Sequence, residues 1–262
     1  MAIYNTVLSN AQESSIGLAV PGAGYTLTDT TIEGQAARLL VPRSYNAMRG
    51  APLIIYHHGA GENYTALTTD TLKWTCVMAL LAAGYILAGS SAHGDNDGNS
   101  QGLADYTALY TYMMANYAIT RLAGWGQSFG GISSLLSLVT ANPYEGWLGT
   151  YPACNLRWMF DNGFAPSIKP AFGIAGDGSD YDAKTAGHDP LLLDASVFNN
   201  FRMRFYASPS DTIVAKTHNT DAMVTLVAGH ATECDVVACT GEHGDPSHFQ
   251  PTDYVSFFNR CV

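Results

Sequence analysis

A serine set between glycines is the feature of this 262-residue chain that points most directly to chemistry. Ser128 lies in "AGWGQSFGG" (Ala123–Gly131), after a run that predicts a strand and before one that predicts a helix. A strand that turns abruptly into a helix holds the residue between them in a strained, exposed position. The small Gly126 and Gly130 leave room for that turn, and the helix N-terminus brings positive charge to where an oxyanion would form. The pattern predicts a nucleophilic serine; the alternative is an ordinary glycine turn.

An acid and a base that could activate the serine follow it in the chain. Asp211 comes directly after the strand-like "FRMRFYASPS", where a buried carboxylate would hold the tautomer of a histidine and stabilise its imidazolium. The stretch "TGEHGDPSHFQP", after the last predicted strand, offers two imidazoles. We favour His248, since it precedes the closing helix and a loop could carry it over the sheet edge to Ser128; His243, closer to the strand end, is the alternative. Three further aspartates compete for the role of the acid, but none directly follows a clear strand: Asp180, Asp182 and Asp221.

The loop after the first buried strand could supply a donor for the oxyanion. "APLIIYHHG" (Ala51–Gly59) predicts that strand, and "HHGAGE" (His57–Glu62) follows as a flexible loop. Such a loop can direct a backbone N–H at the carbonyl oxygen of a substrate that Ser128 attacks. We expect Ala60 and Phe129 to be the two donors; the alternative is again an ordinary glycine turn.

The elements that would position these residues alternate between strand and helix. Further buried strands are predicted at "YILAGSSAHG", "ITRLAGWG", "FRMRFYASPSD" and "ATECDVVACTG", with helices between them. This alternation predicts an α/β fold with one doubly wound, mostly parallel sheet, helices on both faces, and functional loops at the carboxyl ends of the strands. The first fifty residues, with "GLAVPGAGYTLTD" and "AARLLVPRSY", suit antiparallel strands at one edge. We expect residues 1–262 to form a single domain, in which the irregular segment 144–200 is a small cap insertion.

The composition excludes several classes of partner. Charged residues make up 13%, the net charge is −10, and the 12 Lys and Arg form no basic cluster, so nucleic acid and anionic membrane surfaces are poor partners. No stretch is long and apolar enough to cross a bilayer. The first residues, "MAIYNTVLSNAQESS", lack a basic region followed by an apolar run, so we expect no secretory signal. A cytoplasmic location and an extracellular or virion-associated one both stay open.

No metal or organic cofactor is expected. The segment "DNDGNS" has the composition of a calcium loop, but it lacks the glycine at the sixth position and the bidentate glutamate at the twelfth that an EF-hand needs. The histidines at positions 57, 58 and 93 do not have the spacing of a zinc site. The five cysteines are expected to be buried free thiols, with a bond involving Cys154 or Cys261 left open.

Over nearly the whole chain, the order of these motifs resembles that of the α/β-hydrolase superfamily, of the serine esterase and lipase type. "GQSFG" resembles the nucleophile elbow, although Gln127 stands where the family usually has histidine. "HHGAGE" is similar to the oxyanion loop of monoacylglycerol-lipase-like esterases, which implies donors at Ala60 and Phe129. "AHGDNDGNSQG" resembles the glycine-rich loop after the fourth strand. "SPSDTIV" resembles the acid loop and "SHF" the histidine loop, which implies Asp211 as the acid and His248 as the base.

The resemblance implies a serine-dependent acyl hydrolase, similar to carboxylesterases and lipases, that cleaves neutral short-to-medium acyl esters. The substrate would be a small-molecule, glycan or lipid ester. Aromatic residues of the predicted cap that face the site would favour an apolar or ring-bearing group: Tyr144, Trp147, Trp158, Phe160, Phe164 and Phe172. The alternatives are a serine peptidase of the same fold, a phage-type hydrolase of the virion or directed at the cell envelope, and a non-catalytic scaffold. The oligomeric state stays open.

Overall fold

The strands pair into one sheet, which the computed structural model describes within residues 24–140 and 144–261. The eight strands in these ranges are β1 (Tyr25–Ile32), β2 (Gln35–Pro42), β3 (Ala51–His57), β4 (Ile86–Ser90), β5 (Ile119–Gln127), β6 (Gly146–Thr150), β7 (Arg202–Ala207) and β8 (Glu233–Ala238). Their order across the sheet is β1, β2, β4, β3, β5, β6, β7, β8. β2 is antiparallel to β1 and β4, and the remaining neighbours are parallel. The predicted mostly parallel sheet with an antiparallel edge is confirmed.

Helices cover both faces of this sheet. The α-helices within the described ranges are α1 (Ala66–Thr69), α2 (Thr71–Ala82), α3 (Ser100–Asn116), α4 (Gly130–Thr140), α5 (Leu156–Met159), α6 (Ala165–Phe172), α7 (Tyr181–Lys184), α8 (Thr220–Val227) and α9 (Pro251–Arg260). Shorter turns are a π-helical turn at Phe160–Phe164 and 3-10 turns at Pro190–Leu192, Ala195–Phe198 and Pro246–His248. One face of the sheet packs against α2 and α9, and the other against α3, α4 and α8. This arrangement confirms the doubly wound fold.

Local signals fix where α2 begins and ends. The Asp70 side chain accepts the backbone N–H groups of Leu72 and Lys73 at 2.8 and 3.1 Å, which caps the first turn. Past the last turn, Gly84 adopts a φ of +95°, which stops the helix. The buried face of α2 is apolar with one exception, since Lys73 has no exposed surface at all.

The structure corrects the start of the predicted cap. Residues 146–150, assigned above to the segment 144–200, form the buried strand β6 in the middle of the sheet. This strand is short and contains two glycines, so it carries little of the usual strand pattern. A Cβ at Gly146 would lie 2.7 Å from the Cβ of Cys261, so the position next to α9 admits only glycine. Tyr144 and Trp147 accordingly pack in the core rather than in a cap.

The chain leaves the sheet between β6 and β7, over residues 151–201, and packs over the start of α4. A separate apolar cluster joins the two parts and includes Phe129, Ile132, Leu136, Leu156, Met159 and Ile168. The ring centroids of Phe164 and Phe129 lie 4.9 Å apart. Because Phe129 follows Ser128 directly, this cluster covers one side of the turn that carries the serine.

Some sequence-based expectations concern residues 1–23, which lie outside the described part of the chain: the absence of a signal in "MAIYNTVLSNAQESS" and the start of "GLAVPGAGYTLTD". In residues 24–140 and 144–261, no helix has both the length and the apolar character needed to cross a membrane. The same residues contain no group of three or more His, Cys, Asp and Glu placed to hold a metal ion. The five cysteines are all free, Cys154 and Cys261 included.

Candidate active site

Ser128 occupies the tight turn between β5 and α4. Its φ is +50°, a conformation that residues other than glycine adopt only where their surroundings impose it. The Ser128 N–H donates to the carbonyl oxygen of Thr150 at 3.1 Å. The Ser128 carbonyl oxygen accepts the N–H groups of Gly131 and Ala153 at 2.8 and 2.9 Å. The strand, turn and helix predicted around the serine are confirmed, and the end of β6 helps to hold the turn.

The glycines beside Ser128 are required because other backbone segments come very close. A Cβ at Gly130 would lie 2.6 Å from the carbonyl oxygen of His58 and closer still to that of His57. A Cβ at Gly126 would lie 2.7 Å from the carbonyl oxygen of Gly130. Separations this short are repulsive, so only glycine lets β3 and α4 approach the turn.

His243 connects Ser128 to Asp211 through two hydrogen bonds. His243 Nε2 lies 2.9 Å from Ser128 Oγ, and His243 Nδ1 lies 2.8 Å from Asp211 Oδ2. Asp211 is buried, and its Oδ1 accepts the N–H groups of Ile213 and Val214, both at 2.9 Å. Burial raises the pKa of Asp211, but the hydrogen bond from His243 and those from the two N–H groups outweigh burial and lower it. Asp211 is therefore ionised at neutral pH and favours the tautomer of His243 that is protonated at Nδ1.

The structure corrects the preference for His248, because His243 lies beside the serine and His248 does not. The 3-10 turn Pro246–His248 directs the His248 side chain into the interior, where it has no exposed surface. Its Nδ1 lies 3.0 Å from the carbonyl oxygen of Asp245, and its Nε2 has no hydrogen-bond partner in the part of the chain that the structure describes. Burial lowers the pKa of His248 and so favours its neutral form.

Tyr151 lies between the two histidines, a position that its sequence context does not predict. Its ring meets those of His243 and His248 edge-on, with centroids 4.4 and 5.1 Å apart. Tyr151 has a φ of +39°, and its N–H donates to the carbonyl oxygen of Tyr206 at 2.8 Å. It directly follows β6, so recognising that strand would have placed it at the carboxyl end of the sheet.

The two expected oxyanion donors line the same small cavity. Ala60 and Phe129 border about 10 Å³ of space, which is roughly the room one water molecule needs. Among the described residues, neither of their N–H groups has a hydrogen-bond acceptor. The N–H groups on either side of Ala60 are engaged, that of Gly59 with Glu62 at 3.0 Å and that of Gly61 with Asp95 at 2.6 Å. The N–H groups of Ala60 and Phe129 are thus left to bind an incoming oxygen.

A larger cleft of about 460 Å³ lies next to this cavity and shares Asp95 and Asn96 with it. The polar side chains that line the cleft are those of His93, Asp95, Asn96, Asn99, Gln101 and Ser167. No Lys or Arg, and none of the six aromatic residues named above, is among its described lining residues. The expectation of an aromatic, apolar site does not hold for this cleft.

The loop after β4 lines both the cavity and the cleft. His93 Nδ1 lies 2.6 Å from Oδ2 of the buried Asp105, which fixes the orientation of the His93 ring at the cleft. Ala92, His93 and Asp97 all have positive φ, between +42° and +60°. This segment resembles the glycine-rich loop of the α/β-hydrolase fold, and its sequence carries no signal that places His93 or Asp97 at the site.

Asp97 is a buried carboxyl group with one unsatisfied oxygen. It lines the small cavity and is only 4% exposed. Its Oδ2 accepts the Ser167 hydroxyl at 2.8 Å, while its Oδ1 has no partner in the described ranges. Burial raises the pKa of Asp97 to about 7 even though the Ser167 hydrogen bond opposes the increase, and the charge of Asp95 raises it further.

We expect Gly130→Ala to destabilise the fold by about 3 kcal/mol, at the upper end of the range for overpacking, because its methyl group would overlap the backbone after β3. Gly176→Ala is the matched control, since nothing lies within 4 Å of a Cβ there. That control should stay within about 0.5 kcal/mol of the parent. Urea unfolding measures both, and equal stabilities would show that the turn has room for a side chain.

We expect Asp97→Asn to flatten the dependence of stability on pH. The pKa of Asp97 is about 7 in the folded protein and roughly 3.9 in the unfolded chain, so the folded state holds a proton that the unfolded state releases between these values. This carboxyl group therefore destabilises the parent as the pH rises from about 4 to 7. From pH 5 to pH 8, Asp97→Asn should gain about 2–3 kcal/mol of unfolding free energy relative to the parent. Urea unfolding of both proteins at the two pH values measures this change, and a difference in unfolding free energy between variant and parent that is the same at pH 5 and pH 8 would contradict the expectation.

Comparisons with known proteins agree with this architecture. No protein-family model matches the chain, and no curated protein sequence matches it. Similar solved structures include a prolyl endopeptidase (14% identity, TM-score 0.69), puromycin hydrolase (17%, 0.70) and the acylaminoacyl peptidase of Pyrococcus horikoshii (12%, 0.64). The matches cover 91%, 92% and 96% of this chain but 38%, 40% and 43% of those chains. The chain thus spans about two fifths of their length, and its fold is that of their α/β-hydrolase domains.

Proposed function

We propose that this protein is a serine-dependent acyl hydrolase in which Ser128 is the nucleophile, His243 the general base and Asp211 the acid that orients it. The observation that carries the proposal is the continuous connection from Asp211 through His243 to Ser128, with separations of 2.8 and 2.9 Å. The three residues follow β7, β8 and β5, and so meet at the carboxyl ends of parallel strands. The nucleophile precedes the acid and the base in the chain, as in other α/β-hydrolases.

The geometry supports a two-step acyl transfer. His243 Nε2 takes the proton of the Ser128 hydroxyl as Oγ attacks the carbonyl carbon of the substrate. The carbonyl oxygen becomes an oxyanion that accepts the N–H groups of Ala60 and Phe129. His243 then donates its proton to the leaving amine or alcohol as that bond breaks, and Asp211 stabilises the transient imidazolium. In the second step water attacks the acyl-enzyme, with His243 again acting as base and then returning the proton to Ser128.

An amide or peptide bond is the bond we favour as the target. The similar solved structures are those of a prolyl endopeptidase, an acylaminoacyl peptidase and a puromycin hydrolase. Six of the nine residues that line the cleft beside the oxyanion cavity have side chains that can form hydrogen bonds, among them Asn96, Asn99 and Gln101. Such a lining suits the polar backbone of a peptide better than an alkyl chain.

The second candidate is a carboxylesterase acting on neutral short-to-medium acyl esters. The observation in its favour is the loop His57–Glu62, which resembles that of monoacylglycerol-lipase-like esterases and presents the unengaged N–H of Ala60. The chemistry of Ser128 and His243 is the same for both bonds, so the leaving group distinguishes them. A non-catalytic scaffold would retain the fold without a reactive serine.

A fluorophosphonate probe should label the parent protein at Ser128, because the probe reacts with a serine activated by a neighbouring base. Ser128→Ala should not be labelled, and peptide mapping of the parent identifies the modified residue. A parent that resists the probe would favour a scaffold.

Removing His243 should abolish catalysis, whereas removing His248 should not. We expect His243→Ala to reduce kcat/KM by about a thousandfold or more, since the serine loses its proton acceptor. His248→Asn, which keeps a similar polar side chain, should stay within about tenfold of the parent. The reverse ranking would return the role of base to His248.

A substrate panel decides between the two bonds. We expect kcat/KM of the parent, divided by that of Ser128→Ala, to be larger for aminoacyl p-nitroanilides than for p-nitrophenyl acetate and butyrate. A ratio that is large only for the esters would favour the carboxylesterase.

A further inference from the structure

We propose that the ion pair between the partly exposed Glu62 and the buried Lys73 positions the two backbone donors of the oxyanion hole. The inference rests on the proposed function, because it explains how the N–H groups of Ala60 and Phe129 are held for catalysis. Neither charged side chain borders the oxyanion cavity. Both act through the backbone and are therefore positioning residues.

Glu62 collects hydrogen bonds from four parts of the chain. Its Oε2 accepts the N–H of Gly59 at 3.0 Å and the hydroxyl of Tyr56 at 2.9 Å. Its Oε1 accepts the ammonium group of Lys73 at 2.8 Å and the side-chain amide of Gln127 at 3.4 Å. The Tyr56 hydroxyl also lies 3.1 Å from Gln127 Oε1, which closes the network.

Two of the residues that donate to Glu62, Gly59 and Gln127, lie on the two segments that carry the oxyanion donors; we call these segments the two arms of the oxyanion hole. Gly59 directly precedes Ala60, and Gln127 stands two residues before Phe129. A Cβ on Gly59 would lie 3.2 Å from the Cβ of Ser128, so the loop passes close to the serine and leaves little room for a side chain at position 59. A single carboxylate therefore connects both arms, and a shift of its position would change the separation of the two donors.

The orientation of the Ala60 N–H is tied to that of the Gly59 carbonyl, because both belong to one planar peptide group. The Gly59 carbonyl oxygen accepts the backbone N–H of Glu62 at 3.2 Å and lies 2.9 Å from His58 Nδ1. In a trans peptide this carbonyl points away from the N–H of the next residue. Because the backbone N–H of Glu62 fixes this carbonyl, the N–H of Ala60 is directed to the opposite side, while the Glu62 carboxylate fixes the preceding peptide through the N–H of Gly59.

Lys73 helps to keep the partly buried carboxylate of Glu62 ionised. Its side chain has no exposed surface, and its Nζ also lies 4.9 Å from the ring centroid of Tyr56. Burial raises the pKa of Glu62, but the ammonium group of Lys73, together with the hydrogen bonds from Gly59 and Tyr56, outweighs burial and lowers it. An ionised carboxylate accepts all the donors that face it, whereas a protonated one would direct a hydrogen at one of them.

Stability alone is a weak reason for such a pair. Removing two charges from water is costly, and buried ion pairs are often replaced by apolar residues at no loss of stability. A pair whose carboxylate also binds the loop beside the nucleophile has a second use, since the loss of one oxyanion donor reduces turnover by about a hundred- to a thousandfold.

The test compares two double variants that both remove the buried charges. Glu62→Gln with Lys73→Met keeps an oxygen that can accept the N–H of Gly59, whereas Glu62→Met with Lys73→Met does not. We expect kcat of the Met/Met variant to be at least about tenfold below that of the Gln/Met variant, with KM changed less than about threefold. The rate constant for fluorophosphonate labelling of Ser128 should fall in parallel.

The urea midpoints of both double variants and of a matched control accompany these measurements. The control is Asp253→Asn, which removes a negative charge at a position remote from the serine. The Asp253 carboxylate accepts hydrogen bonds from Arg204 at 2.7 Å and from Tyr206 at 2.6 Å. We expect the control to lower the midpoint without changing kcat by more than about twofold. Equal kcat values for the two double variants would overturn the proposal and leave the ion pair a purely structural role.

A single variant covers the case in which the Met/Met protein does not fold. Glu62→Asp keeps the charge but shortens its reach by one methylene, so it cannot bind Gly59 and Lys73 together. We expect its kcat to fall at least about tenfold, and a value within about twofold of the parent would overturn the proposal. Failure of the proposed function has a different signature, because the parent itself would then resist the fluorophosphonate probe.

Discussion

The close approach of backbone segments around Ser128 is the constraint on which the rest of the site depends. The positive φ of this residue is maintained because the ends of β3 and β6 contact the glycines on either side of it. A side chain at Gly130 would push β3 away from α4, and the loop that carries Ala60 would move with β3 because it directly follows that strand. The strained serine conformation and the position of that loop are therefore one structural requirement.

The carboxyl groups near the site differ in how many hydrogen bonds they accept, and this difference decides whether each is ionised. Asp211 and Glu62 each accept several hydrogen bonds, including one from a cationic or ring N–H group, and the pKa of each is lowered. Asp97 accepts a single hydroxyl, and burial raises its pKa to about 7. The fold thus fixes negative charge beside His243 and within the loop His57–Glu62, whereas Asp97 keeps its proton to a higher pH than an exposed carboxyl group does.

The spacing of apolar residues and the glycines and prolines between them predicted the sheet apart from β6, the helices on its faces, and Ser128 and Asp211 at the ends of strands. They could not choose between His243 and His248, which lie five residues apart in one loop, because a local turn decides which imidazole leaves the interior. β6 was missed because it contains two glycines, which are rare in strands and are required here by the close packing of neighbouring residues. Lys73 gave no signal, since a lysine in an amphipathic helix is ordinarily solvated and its partner comes from a preceding loop.

The loop after β4 argues that the polar cleft belongs to the site. Three of its non-glycine residues have positive φ, and such conformations cost of order 1–3 kcal/mol each where they are strained. The same loop supplies His93, held by the buried Asp105, and Asp97, with its unsatisfied oxygen. Backbone strain and a buried carboxyl group with one oxygen left without a partner among the described residues both reduce stability. They occur together on the segment that borders both the oxyanion cavity and the cleft. A fold under selection for stability alone would not retain both in one short loop, and under the proposed function a role in binding the substrate would account for both.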